Sequence, residues 1–366
     1  RYPEFVELAA REQEADALLR RGDSWLSNQP AIAMRYQTDR PWDNANYREY
    51  EIGVELPLWR IGERRTAGAL GAAAAESAVT AATALRHEVI GLLRTTLWDI
   101  EHAYNELALA RSGVQVAEAL MATIERMYQA GELPLSETLL MRSTVMQREA
   151  AVIVAEALLV DAERAFQSLT GLSERPANIA EPLTQRSGFD DSHPRALLAA
   201  SELERARAEL DMTRRSSKGT PILTVAPQRD RAAFSNYTAN SLNVSVSIPF
   251  GGRGHSDTAI TAAAREVAAA ESELSRVLRG LNVELHEARH GLSVIEASLV
   301  LAEQRSELAA RSFAMSERAF AQGEISLLEL LRSEEIALQT RREVAGLEVE
   351  RLRSIAQINQ ATGVWP

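Results

Sequence analysis

His286-Glu-Ala-Arg-His290 spells the pattern H-E-x-x-H. On a helix its two histidines fall on one face, where they could bind zinc with Glu287 as the general base of a hydrolase. Leu285 and Ala288, however, sit in a heptad seam, and both histidines lie outside it. A catalytic zinc also needs a third protein ligand and a substrate cleft, and a continuous helical rod offers no obvious cleft. The matching stretch of the first half, Arg94-Thr-Thr-Leu-Trp98, has nothing similar. The expectation is no zinc hydrolase, with weak adventitious metal binding as the lesser alternative. His87, His102, His193 and His255 are isolated, and there is no Gly-rich phosphate loop, nucleophile elbow or paired-carboxylate signature. With no cysteine there is no disulfide and no thiolate metal site. The chain therefore reads as a non-enzyme, with no cofactor and no resident metal.

The elements that carry these residues occur twice. Pro57 and Pro249, Gly131 and Gly323, and Gly171 and Gly363 are each 192 residues apart. Pro3 and Pro194, and Pro30 and Pro221, are 191 apart, so one residue entered early in the second copy. A duplication on this scale is an architecture in itself. Residues 1–172 form a first repeat, 173–191 a linker with two prolines, and 192–366 a second repeat. The first is expected to hold a helix over 4–21, strands near 31–37 and 47–58, and long helices near 61–129 and 135–169. The second is expected to hold a helix from Pro194 to about Lys218, strands near 222–228 and 237–250, and helices near 255–322 and 326–362. A helix of about 70 residues would be roughly 100 Å long at 1.5 Å per residue.

Composition agrees with a mostly helical chain. Hydrophobic residues make up 46% of the 366 but aromatics only 5%. Alanine runs such as Ala72–Ala75 and Ala268–Ala270 suit helices packed backbone-close. A net charge of -11 argues against nucleic acid as a partner. No stretch approaches the ~20 apolar residues of a spanning helix. No signal peptide opens the chain, and Arg1 begins abruptly inside a helical pattern, which leaves room for a targeting segment upstream. From Ile260 to Leu299 the apolar positions alternate by four and three, which means coiled-coil packing.

The strands add a second signal. Ile52, Val54 and Leu56 alternate with Glu51, Gly53 and Glu55, and Leu242, Val244, Val246 and Ile248 alternate with Asn243, Ser245 and Ser247. One face is apolar and the other small or charged, the dyad pattern of a strand facing lipid outward and water inward. A soluble half-buried hairpin shows the same alternation, but hairpins on a rod of helices have no evident core to pack against. Aromatics collect at the strand ends: Trp42, Tyr47, Tyr50 and Trp59, then Phe234, Tyr237 and Phe250. A bilayer-surface girdle is one cause, and singly exposed aromatics are the other. Four strands cannot close a barrel, and lipid does not tolerate an open edge. Two chains would give eight strands with a filled interior, and three would give twelve, wide enough for a pore. The physics favours a trimer with one shared barrel.

With these features the chain resembles the outer-membrane efflux proteins, the TolC-like family, over essentially its whole length. The resemblance rests on the duplicated helix–hairpin–helix plan and on the junctions Leu56-Pro-Leu-Trp59 and Ile248-Pro-Phe-Gly-Gly-Arg253. It rests also on the breaks Tyr128-Gln-Ala-Gly-Glu-Leu-Pro-Leu-Ser-Glu137 and Phe320-Ala-Gln-Gly-Glu-Ile-Ser-Leu-Leu-Glu-Leu330, and on the closing Ala361-Thr-Gly363. The resemblance implies a trimeric twelve-stranded β-barrel in the outer membrane, continuous with a periplasmic α-helical tunnel. It implies partners too: a periplasmic adaptor, an inner-membrane transporter and outer-membrane lipid. Gly131, Leu133, Pro134, Leu135 and Ser136, with Gly323, Ile325, Ser326 and Leu327, then match the tip that an adaptor grips. Glu137 and Glu329 fall at acidic gate positions, Phe320 where a gate tyrosine often sits, and Arg332 where a second acidic ring is common. The expected function is the passive exit duct of a tripartite pump for drugs or metal ions. The alternatives are a duct for type I protein secretion and a soluble coiled-coil scaffold.

Overall fold

The computed structural model describes residues 4–190, 192–251, 254 and 256–366. Pro3, His255 and the Gly252-Arg253 part of the second strand-to-helix junction lie outside the described residues. The elements run α1 (Glu4–Asp23), β1 (Ala31–Thr38), β2 (Arg48–Pro57), α2 (Glu63–Gln129), α3 (Leu135–Thr170), α4 (Pro194–Ser216), β3 (Ile222–Arg231), β4 (Thr238–Ser247), α5 (Asp257–Ala321) and α6 (Leu327–Ala361). The order helix, two strands, two helices thus occurs twice. Compactness divides the chain differently. One unit gathers the residues up to Leu85 with Pro194–Arg279, and the other gathers Arg86–His193 with Gly280–Pro366. Each unit draws on both repeats.

In the first unit the four strands form one antiparallel sheet in the order β1-β2-β3-β4. Ile32 pairs with Val54, Met34 with Ile52 and Tyr36 with Tyr50. Leu56 pairs with Leu223 and Val54 with Val225, and Leu223 and Val225 in turn pair with Val246 and Val244. Strand alternation puts all these side chains on one face. On the other face, position 53 is glycine because a Cβ there would come within 2.5 Å of the Ala226 Cβ. The α1–α2 crossing is also set by glycine: a Cβ on Gly22 would meet the Gly68 Cα at 2.8 Å, and one on Gly71 would meet the Leu19 nitrogen at 2.8 Å. Ala67, Leu70 and Met212 form the local core, with Leu18 and Trp59 against it. Arg60 fastens the strand end: its Nε donates to the Gly219 carbonyl at 2.6 Å and its Nη2 to the Pro249 carbonyl at 2.8 Å.

An 18-residue window of α2 reaches a mean hydropathy of 1.2, higher than the expectation of no spanning-length apolar stretch allowed. Ala67, Ala74, Ala78, Ala81 and Ala84 of this helix are buried, which fits a helix packed closely through small side chains.

In the second unit the segment between the repeats is strapped down. Arg94, buried, donates to both carboxylate oxygens of Glu181 at 2.7 Å and to the Gln360 Oε1 at 2.5 Å. Asn359 donates to Glu181 at 2.9 Å and accepts from the Thr184 N–H at 3.0 Å. Arg289 of α5 donates to the carbonyls of Arg186 and Ser187. Buried clusters then follow the helices, among them Leu285, Leu292, Ile358 and Ala361 and Leu107, Ala110 and Ala155.

Candidate functional site: the helix breaks and the bare sheet face

The two helix breaks share one backbone design. Gly131 and Gly323 adopt φ of 79° and 76°, the left-handed region that ends helices without a Cβ penalty. At the first break the Gly131 N–H donates to Tyr128 and the Glu132 N–H to Met127, both at 2.9 Å. At the second the Gly323 N–H donates to Phe320 and the Glu324 N–H to Ala319, again both at 2.9 Å. These bonds close the last carbonyls of α2 and α5.

The restarts differ. α6 opens on a full capping box: the Ser326 Oγ accepts from the Glu329 N–H at 3.3 Å, and the Glu329 carboxylate accepts from the Ser326 N–H at 3.0 Å. The Ser326 N–H, and after it the Ser326 hydroxyl donating at 3.1 Å, hold the Glu329 carboxyl below the usual carboxylate range. α3 opens on Pro134, which has no side-chain cap. There Glu137 is half-buried, and its Oε2 is buried with no hydrogen-bond partner among the described residues. It borders a cleft of 470 Å³ shared with Glu132, Leu133, Phe320, Gln322 and Ser326.

Beneath both breaks lies one core: Ile124, Met141, Phe320, Leu327 and Leu330, with Leu133 and Ile325 half-buried against it. This placement corrects two expectations. Phe320 is 4% exposed and holds the breaks together from inside, so it does not line an opening. Leu327 is 1% exposed and cannot be gripped by another protein. The helical phase gives the reason: with Ser326 as cap, positions 327, 330 and 334 share the buried face of α6. Leu328, one position on, is the apolar residue that stands out. Gly131, Pro134, Leu135, Ser136, Gly323 and Ser326 are exposed, as is Arg332, which makes no ion pair among the described residues.

Arg148 also escaped the sequence reading. It leaves α3 to donate to Glu334 and Glu335 of α6 at 2.7 and 2.6 Å. Glu334 is buried, and desolvation pushes its pKa up despite the opposing Arg148 charge. No local motif announces a pair 186 residues apart.

At the sheet, Ile52, Val54, Leu242, Val244 and Val246 are exposed on one apolar face, while Leu56 is half-buried. Ile248 lies one residue beyond β4 and is exposed. β1 extends this face with Ile32, Met34 and Tyr36, whose alternation was visible in the sequence but not assigned. On the opposite face the Asn243 Nδ2 donates to Glu51 at 3.0 Å. Trp42, Phe234 and Tyr237 stand exposed in the two hairpin loops, and Trp25, Ile61 and Phe250 near the helix-side ends of the strands.

His286 and His290 are exposed, with their rings stacked at a centroid distance of 6.3 Å. Among the described residues no three His, Asp or Glu side chains form a group that could hold a metal ion.

Several solved structures share this fold. The outer membrane protein VceC from Vibrio cholerae is 17% identical with a TM-score of 0.79, covering 100% of this chain and 93% of that one. The CmeC outer membrane channel of Campylobacter jejuni is 14% identical with a TM-score of 0.74, over 99% of this chain and 83% of that one. The open-state MtrE outer membrane channel of Neisseria gonorrhoeae is 13% identical with a TM-score of 0.72, over 100% and 86%. No curated protein matches in sequence. Residues 192–364 match the family model for outer membrane efflux proteins. That match takes in the second strand pair and the capped break.

Proposed function

We propose that the chain is the outer-membrane exit duct of a tripartite efflux system, working as a homotrimer. Three copies would close one twelve-stranded barrel in the outer membrane, and the long helices would form a periplasmic tunnel. An inner-membrane transporter would supply energy and substrate, drugs or metal ions, through a periplasmic adaptor that engages the helix breaks. The duct performs no chemistry. The observation that carries this reading is the four-stranded sheet, bare on its apolar face and open along β1 and β4. Water disfavours such a face and lipid disfavours such edges, so both are satisfied only by edge-to-edge closure within a bilayer. Exposed aromatics at both ends of the strands fit the two girdles of a spanning barrel.

Of the residues considered for a gate, Glu137 is the one we retain, because its carboxylate meets the cleft with an oxygen unsatisfied. Glu329 is held by its helix cap and Phe320 by the core. Leu135 and Leu328, both exposed beside a break, are the apolar anchors we assign to the adaptor.

Light scattering of the detergent-solubilised protein tests the reading. A protein mass of about 121 kDa, three times the 40.2 kDa chain, with precipitation once detergent is removed, is expected. A monodisperse 40.2 kDa species in plain buffer would overturn it.

A further inference from the structure

The two ends of the sheet differ in charge. At the hairpin end, residues 39–49 and 229–237 hold four basic and four acidic side chains. At the other end the strands pass into helices. There residues 20–29, 58–65 and 211–220 hold eight basic side chains against three acidic, in a chain whose net charge is -11. The excess of positive charge is therefore local and runs against the composition of the whole.

The three segments meet. Arg64 of α2 donates to the Gly22 and Asp23 carbonyls at the end of α1, at 3.1 and 2.8 Å. The Trp59 Nε1 donates to the Ser24 carbonyl at 3.0 Å. Arg60 reaches the Lys218 carbonyl at 2.6 Å, and a Cβ on Gly62 would lie 3.4 Å from the Arg215 Nη1. Bonds to carbonyls leave the positive charge of Arg60 and Arg64 in place. Of the three acids, Glu63 is buried and accepts from the Arg60 N–H at 2.9 Å, and Asp211 pairs with Arg214 at 3.3 Å. Arg20, Arg21, Arg65, Arg215 and Lys218 are exposed and make no ion pair among the described residues.

The helix dipole explains only part of this belt. It favours the basic pairs in the last turns of α1 and α4. It disfavours Arg64 and Arg65, which stand in the first turn of α2. Bare apolar side chains share the level: Trp25, Ile61 and Phe250 are 89–98% exposed. They continue the bare face of the sheet, since Ile248, also exposed, is followed by Pro249 and then Phe250. Exposed basic groups beside exposed aromatic and aliphatic ones, at the end of an apolar face, suit the headgroup level of a bilayer.

We infer that this belt binds the headgroups of anionic phospholipids, in the leaflet on the helix side of the sheet. The guanidinium groups take the lipid phosphates, which their planar pairs of N–H donors match in geometry. Trp25, Ile61 and Phe250 enter the boundary with the acyl chains. The hairpin end, with its balanced charges, has no such preference. The inference rests on the outer-membrane reading above and adds the class of lipid selected and the leaflet that supplies it. Continuity with the bare sheet face favours lipid over an acidic protein as the occupant.

Native mass spectrometry of the detergent-solubilised protein, offered phosphatidylglycerol and phosphatidylcholine in equal amounts, tests it. Wild type should retain phosphatidylglycerol in preference by more than about tenfold. Arg20→Gln, Arg21→Gln, Arg65→Gln and Lys218→Gln together should abolish the preference, whereas Arg40→Gln with Arg229→Gln, at the hairpin end, should keep it. No preference in wild type, or one that the belt variant keeps or the hairpin variant loses, overturns the inference. Lys218 is the only lysine of the chain, so a neutral amine-acylating reagent reads the belt without any belt substitution. In phosphatidylglycerol nanodiscs Lys218 should react at least about threefold more slowly than in phosphatidylcholine ones. Arg40→Lys at the hairpin end measures the slowing that surface charge alone causes, and equal slowing at both ends overturns the inference as well. Light scattering beforehand separates the two readings. A monomer in plain buffer overturns the duct and this inference with it, and a detergent-borne trimer without lipid preference overturns this inference alone.

Discussion

The two helix breaks have one backbone and two fates. The glycine dihedrals agree within a few degrees and the turn hydrogen bonds have the same lengths, yet the side chains at matching positions point different ways. Leu135 is 52% exposed and its counterpart Leu327 1%. Tyr128 is 38% exposed and its counterpart Phe320 4%. The shared core beneath takes Ile124 and Met141 from the first repeat and Phe320, Leu327 and Leu330 from the second. Duplication thus preserved the way the chain turns and let the buried face of each helix drift. The carboxylates diverged with it, Glu329 into a cap and Glu137 into a cleft. Each break nonetheless presents one exposed apolar residue, Leu135 at the first and Leu328 at the second.

Substitution at the matched leucines should expose the asymmetry most strongly. Leu327→Ala removes a fully buried side chain and should cost about 2–5 kcal/mol of unfolding free energy. Leu135→Ala should stay within about 0.5 kcal/mol, as surface changes do. Thermal or denaturant unfolding in detergent gives both numbers, and equal losses would mean that the breaks are equivalent after all. Leu135→Asp and Leu328→Asp should then keep their fold while weakening adaptor capture in a pull-down.

The glycines test the opposite half of the comparison. A Cβ at Gly131 or Gly323 meets nothing within 4 Å, so only the left-handed backbone penalises a side chain. Gly131→Ala and Gly323→Ala should each cost about 1–2 kcal/mol, and by the same amount. A difference above about 1 kcal/mol between them, measured in the same way, would show that one turn is strained by its surroundings.

Much of this could be read from residue order. Gly131 and Gly323 mark the breaks because glycine alone enters the left-handed region cheaply, and Ile52-Gly-Val-Glu-Leu56 marks a two-faced strand because alternation is local. The phase of α6 was legible as well, since Ser326 and Glu329 form a cap that fixes Leu327 as the first helical residue. What residue order does not encode is why Leu135 stays out while its counterpart Leu327 turns in, for that depends on the neighbours each acquires. Nor does it encode long-range polar partners. Arg94 finds Glu181 across 87 residues and Gln360 across 266, and nothing near Arg94 foretells either.

The smallest expected effect is in pH dependence, and it has opposite signs on two carboxylates of α6. Hydrogen bonds from Ser326 lower the pKa of Glu329, so the folded state favours its charged form. Its contribution is present above the ordinary carboxylate pKa of about 4.3 and is lost as pH falls through the depressed value. Burial raises the pKa of Glu334 despite Arg148, so the folded state favours its neutral form. Its contribution is full below the ordinary pKa and is lost as pH rises through the raised value. The stability difference between wild type and Glu329→Gln should therefore shrink on acidification, whereas that between wild type and Glu334→Gln should shift in favour of wild type. Melting curves of the three proteins across the carboxylate range decide it. Parallel pH profiles for the two variants would mean that cap and buried pair do not differ as their surroundings require, because Arg148 would then outweigh the desolvation of Glu334.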